Sequence, residues 1–174
     1  LFPYTTLFRS GECHKDDSYC ATHTPRGRDD MGIAWQDLLL HVDLDAISKE
    51  LLAAIAGGKS SAQKTLAMSL NQVIVMVATG PSWAKYCHMH PSDAEMSLLQ
   101  GRFAFKLHTS SSLYVLDPGQ KFFVPKWHPH AEETYGANPA VFLVKWSPIP
   151  ENKSELTIYV SEKECDVHYL PAPK

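Results

Sequence analysis

From residue 63 to residue 146 the chain repeats one pattern, a short β-prone run followed by a turn signal. The runs are 65–70, 72–78, 84–90, 95–100, 102–108, 112–116, 121–125, 130–134 and 140–146. Between them stand Gly80-Pro81, Pro91-Ser92-Asp93, Gly101, the polar stretch 109–112, Asp117-Pro118-Gly119 and Gly136-Ala137-Asn138-Pro139. The runs are short, and turn signals separate most of them. Many short strands at close spacing predict an all-β sandwich or barrel. The run 72–78 is almost continuously apolar, which predicts a strand buried on both faces. Residues 156–160 alternate like one more strand, and the stretch 59–62 reads as a loop.

The sequence before this region has a different character. Ile47, Leu51, Leu52 and Ile55 recur at helical spacing before Gly57-Gly58. They predict an amphipathic helix over 45–56, packed on the outside of a sheet. Residues 1–10 resemble the translation of a sequencing-adapter oligonucleotide, and 11–30 are polar and without hydrophobic period. The expected organisation is therefore a non-native or disordered leader over 1–30, a helical segment over 31–62, a barrel over 63–150, and a strand and tail over 151–174. Met31 is the expected start. Cys13, His14, Cys20 and His23 have a faintly zinc-like spacing, but the leader offers no core to hold a ligand geometry.

Composition narrows the partners. A net charge of −3 over 174 residues gives no basic surface for nucleic acid. No apolar run approaches the ~20 residues that cross a bilayer. The cysteines Cys13, Cys20, Cys87 and Cys165 form no C-x-x-C pair, so a disulfide framework is not expected and a cytoplasmic location fits. No nucleophile-elbow, Walker or dinucleotide fingerprint is present.

The chemistry concentrates between His88 and His130. His88 and His90 stand two apart in a strand, and alternate residues of a strand share a face. Neutral imidazole is the commonest ligand for divalent transition metals. A third histidine, His130, opens a later strand, with His128 as its competitor. The ordinary reading of any one of these is a hydrogen-bonded or surface histidine. His41, His108 and His168 are read as structural, Glu132 as a surface residue rather than a partner orienting His130, and Cys87 as a core thiol facing away from the histidines. Tyr86 shares parity with His88 and is expected to line the interior. Phe103, Phe105, Tyr114, Phe122, Phe142 and Trp146 are expected to pack the barrel.

Two blocks here resemble the cupin superfamily. His88-x-His90-x4-Glu95 is similar to its first motif, H-x-H-x3–4-E-x6-G. Gly119-x5-Pro125-x4-His130 is similar to its second, G-x5-P-x-G-x2-H. The resemblance covers residues 70–147 and implies a double-stranded β-helix, or jelly roll, with a divalent metal inside. The implied ligands are His88, His90, Glu95 and His130, and the metal is iron, manganese, nickel, copper or zinc. The resemblance departs at two places. Five residues, not six, separate Glu95 from Gly101, so counting back from the glycine puts Ala94 at the glutamate position. A one-residue slip reverses the facing of a strand side chain, and Glu95 then reaches the metal only if a bulge absorbs the difference. Trp127 stands where the second motif has glycine. With three histidines alone, the site resembles the three-histidine dioxygenases of that superfamily. The functions implied are a metal-dependent, dioxygenase-like enzyme acting on a small molecule, a non-catalytic binding or storage barrel without metal, or an isomerase or epimerase. A homodimer is implied as well.

Overall fold

In a computed structural model, the protein is described at residues 39–69, 71–107, 113–149 and 157–160. The described residues from Val42 onward belong to one compact unit. The expected leader, with Cys13, His14, Cys20 and His23, lies outside the described residues, as do His108 and His168.

Helix α1 spans Leu44–Ala56, one residue longer than its period predicts. Asp43 caps it by accepting a hydrogen bond from the Ala46 backbone amide at 2.9 Å, which satisfies one orphan donor of the first turn. Leu51 and Ile55 are its buried residues, and it packs against β1 and β2. Gly57 closes it and Gly58, at φ +97°, turns the chain away.

Ten strands follow among the described residues: β1 Ser61–Met68, β2 Val73–Thr79, β3 Ala84–Met89, β4 Asp93–Gln100, β5 Phe103–Leu107, β6 Leu113–Leu116, β7 Lys121–Val124, β8 His130–Thr134, β9 Ala140–Ser147 and β10 Ile158–Tyr159. The expected loop over 59–62 is corrected at its second half, because β1 begins at Ser61 as a mostly exposed partner of β2. Two five-stranded sheets form, in the orders β1-β2-β9-β4-β7 and β10-β3-β8-β5-β6. Every pairing between them is antiparallel. From β2 to β9 successive strands pass from one sheet to the other, except that β5 and β6 stay in the same sheet, so that early strands lie beside late ones. That is jelly-roll connectivity.

The space between the sheets holds one apolar cluster that includes Val73, Val75, Met96, Leu98, Phe103, Phe105, Phe142 and Val144, with Phe122 and Trp146 partly buried against it. Leu98, Phe103 and Phe105 are wholly buried, each worth roughly 2–3 kcal/mol of transfer free energy. Strand β2 is buried on both faces, as its apolar run predicts: Val73 and Val75 join the cluster, and Ile74, Met76 and Ala78 are buried on the other side. Tyr114 departs from the expected packing set. It is partly exposed, with its ring 5.6 Å from that of Phe122.

Gly101 turns the chain from β4 to β5 at φ +77°. A Cβ there would lie 2.2 Å from the Pro139 carbonyl oxygen, so the turn admits no side chain. Cys87 is disulfide-bonded, and no other cysteine lies among the described residues. The expected free core thiol is thereby corrected. Its facing is as expected: it packs with Ala131 and Val160, away from the strand face that carries His88.

Candidate metal centre

Strands β3 and β8 lie side by side, with His88 directly across from His130. Further along the same pair, Lys85 lies across from Glu132. Two residues, Tyr86 and Cys87, therefore stand opposite the single residue Ala131. This is a β-bulge, and it changes the parity of β3. Lys85 and His88, an odd distance apart, come to share a face. Tyr86 is pushed outward and is 64 % exposed, so the expectation that it lines the interior is corrected. His90 follows the last residue of β3 and is buried.

The three imidazoles converge. Ring centroids are 4.2 Å apart for His88 and His130, 4.9 Å for His88 and His90, and 5.1 Å for His90 and His130. One ligand atom from each lies within 4.8 Å of the others. His128 and His41 are not part of this group. His128 contributes its backbone instead. The Nδ1 of His130 donates to the His128 carbonyl at 2.9 Å, and the Nδ1 of His88 donates to the Tyr86 carbonyl at 2.8 Å. In both strands the ring reaches back two residues. With Nδ1 carrying the proton, the lone pair is on Nε2, the tautomer a metal ligand needs.

Burial keeps the His88 and His130 rings neutral. The His88 pKa is driven far below the ordinary imidazole value by burial, reinforced by the charges of His130, Lys85 and His90. That of His130 is lowered to about 3, again chiefly by burial. The His88 Nε2 is buried with no hydrogen-bond partner among the described residues. An unsatisfied nitrogen lone pair at this depth is costly in a metal-free protein and fits a divalent cation. The donor set and its fixed tautomers thus suit the metal that the motifs imply.

Glu95 does not join the histidines. On β4 the buried positions are Ala94, Met96 and Leu98, while the Glu95 carboxylate turns outward and accepts from Lys121 Nζ at 3.3 Å. The expectation of Glu95 as a ligand is corrected. A register shift does occur on this strand, between Leu98 and Gln100. It lies after Glu95 and so adjusts the approach to Gly101 without turning Glu95 inward. The inward residue is Ala94, as the count back from the glycine places it.

The carboxylate that lies beside one of the histidines, His88, is Glu132. It is buried, and its Oε1 lies 3.6 Å from His88 Nε2. Burial raises its pKa to about 7, partly offset by the Lys85 ammonium. Lys85 is itself lowered by burial and donates to Thr157 Oγ1 at 3.3 Å. The sequence reading of Glu132 as a surface residue is corrected. The Glu132-Glu133 pair looks solvated, but Glu132 shares strand parity with His130, and that parity was the signal available. Lys85 gave no such signal, because only the bulge brings it to the His88 face.

His90 is anchored by the loop before β8. The Trp127 amide donates to the His90 carbonyl at 2.7 Å, and the Lys126 amide donates to Asp93 Oδ1 at 2.8 Å. Trp127 sits at φ 62°, so the backbone keeps the left-handed conformation of the motif glycine although the residue is bulky. Apolar walls complete the surroundings: the Trp146 ring lies 6.1 Å from His90 and the Phe105 ring 6.4 Å from His130.

No protein-family model and no curated protein matches this sequence. Among solved structures, the chain is similar to the DMSP lyase DddQ from Ruegeria pomeroyi DSS-3, at 24 % identity and a TM-score of 0.51 over 58 % of this chain and 52 % of that one. It is similar also to the polyketide cyclase RemF from Streptomyces resistomycificus, at 20 % identity and a TM-score of 0.51 over 63 % of this chain and 77 % of that one. This chain spans about half the length of the lyase. At such identities the likeness concerns the fold.

Proposed function

Starting from a barrel of the cupin fold, we propose that His88, His90 and His130 hold a divalent transition metal and that the protein is an enzyme acting on a small molecule, dioxygenase-like in its chemistry. The observation that carries this reading is the convergence of three buried imidazoles, two with their tautomer set by a backbone carbonyl and one with its Nε2 unsatisfied among the described residues. Such a metal supplies Lewis acidity and, if iron, manganese or copper, redox capacity. The protein's own part is to hold the ligands rigid and to keep water out. Strands β3 and β8 fix His88 and His130, the Trp127 loop fixes His90, and Phe105 and Trp146 wall the interior against solvent. A dimer pairing through a sheet edge belongs to the same proposal, and a mass by light scattering near that of a single 19.4 kDa chain would remove it.

The oxygenase reading needs a coordination position open to a diatomic gas. Nitric oxide added anaerobically to the iron(II)-loaded chain is expected to give a paramagnetic iron–nitrosyl signal, lost in a His88→Ala, His90→Ala variant. Iron-loaded protein without that signal sinks the oxygenase reading and favours a binding barrel.

A further inference from the structure

The Nε1 of Trp146 is buried without a hydrogen-bond partner among the described residues, as is the Nε2 of His88. The two rings lie 6.1 Å and 4.9 Å from that of His90. The two atoms are of opposite kinds. With its proton on Nδ1, His88 presents a lone pair, which a metal satisfies. The indole N–H is a donor only, and no metal can satisfy it. A buried donor left without an acceptor is costly. Trp146 stands on β9 in register with Val73 of β2 and Ala94 of β4. Val73 and Ala94 belong to the core cluster, and Trp146 packs against it, which places the indole on the interior face of its sheet. Neither neighbour has a polar side-chain atom. Ala94 is also the inward residue where the count from Gly101 puts the glutamate of the first motif, and Glu95 turns out to Lys121. The orphaned donor thus adjoins the place from which the motif carboxylate is missing.

We propose that Trp146 is a substrate-binding residue and that the substrate is a carboxylate. One carboxylate oxygen accepts from the indole N–H, and the carboxylate completes the coordination of the metal, so that the ligand supplies the acid that β4 does not. The proposal rests on the three-histidine reading above. Charge agrees with it. Three neutral imidazoles cancel none of a divalent metal's charge, Glu132 has Lys85 in register beside it, and an interior cation attracts an anion more strongly than a neutral molecule.

The test uses the full chain loaded with cobalt(II), with acetate and imidazole as probes of the open position, each titrated by visible absorption. Trp146→Phe is expected to bind cobalt as the wild type does and to bind acetate about tenfold more weakly. Its affinity for imidazole is expected to stay unchanged, because a metal-bound imidazole offers the indole no acceptor. In the zinc-loaded wild type, acetate is expected to move one of the four indole N–H resonances downfield, the one absent from Trp146→Phe. The wild-type resonances decide the matter alone if the variant does not fold. Acetate bound equally by both chains, a parallel loss of acetate and imidazole, or four indole resonances unmoved by acetate overturns this proposal alone. Failure of the wild type to bind cobalt overturns the three-histidine reading and this proposal with it.

Discussion

Trp127 shows how a single residue departs from a motif without changing the backbone. The left-handed conformation at φ 62° is one that glycine adopts freely and that costs other residues ~1–2 kcal/mol. The indole is 53 % exposed, so packing returns little of that. What the conformation secures is the amide hydrogen bond to the His90 carbonyl. The expected consequence is an inversion of the usual order of small residues. Trp127→Gly should be more stable than Trp127→Ala by about 1 kcal/mol in urea unfolding, because both lose the indole and only alanine keeps the strain. Alanine equal to or better than glycine would show that the turn relaxes. The departure itself was legible in the sequence, as a bulky residue where the motif has glycine. Whether the backbone or the side chain would give way was not, because that depends on the hydrogen bond to His90, a residue far away in sequence.

At the scale of elements, the β3–β8 pair carries the site. Most strand positions could be read from turn signals and alternation, and the placement of His88, His90 and His130 followed from parity and motif spacing. The errors came where parity breaks. The bulge at Tyr86 and Cys87 exchanges the facing of everything before it on β3, which turned Tyr86 outward and Lys85 inward. No residue type in that run signals a bulge. On β4 the one-residue discrepancy before Gly101 was visible, and Ala94 inward with Glu95 outward is its resolution. The same β3–β8 pair sets the pH behaviour of the metal-free protein. The groups facing one another are Lys85, His88, His90, His130 and Glu132, with His128 next to them. His88 and His130 have depressed pKa values, that of His130 to about 3. Their contribution to stability is therefore full above the ordinary histidine value of 6.5 and is lost as pH falls. Glu132, raised to about 7 from 4.5, contributes in the opposite sense, and its share is lost as pH rises between those values. Two histidines oppose one carboxylate. With chelator present, the melting temperature should rise from pH 4.5 to pH 6.5, and rise more steeply in Glu132→Gln. A curve that falls across that interval would contradict the burial of these imidazoles.

At the scale of the whole molecule, the jelly roll explains why the site is where it is. The connectivity brings β3 and β8, which are distant in sequence, to neighbouring places in one sheet. The first and second motifs meet only because of that crossover. The alternating runs made the two-sheet architecture legible, and the apolar run of β2 marked the strand buried on both sides. The cysteine spacing did not reveal the bond at Cys87, because pairing over long separations leaves no local pattern. That bond also removes the support that unpaired cysteines gave to a reducing compartment. Among the described residues, no helix is long and apolar enough to cross a membrane.

Metal binding links all three scales, since a cation that binds only the folded barrel must stabilise it, by about 2.7 kcal/mol at a hundredfold excess over the dissociation constant. The most direct measurement is the metal content of the purified chain by elemental analysis, together with its melting temperature before and after chelation. A metal held by the three histidines predicts close to one equivalent of a transition metal, a clear drop in melting temperature on its removal, and neither in a His88→Ala, His90→Ala variant. Metal-free wild-type protein whose melting temperature does not respond to added iron, nickel or zinc would contradict it.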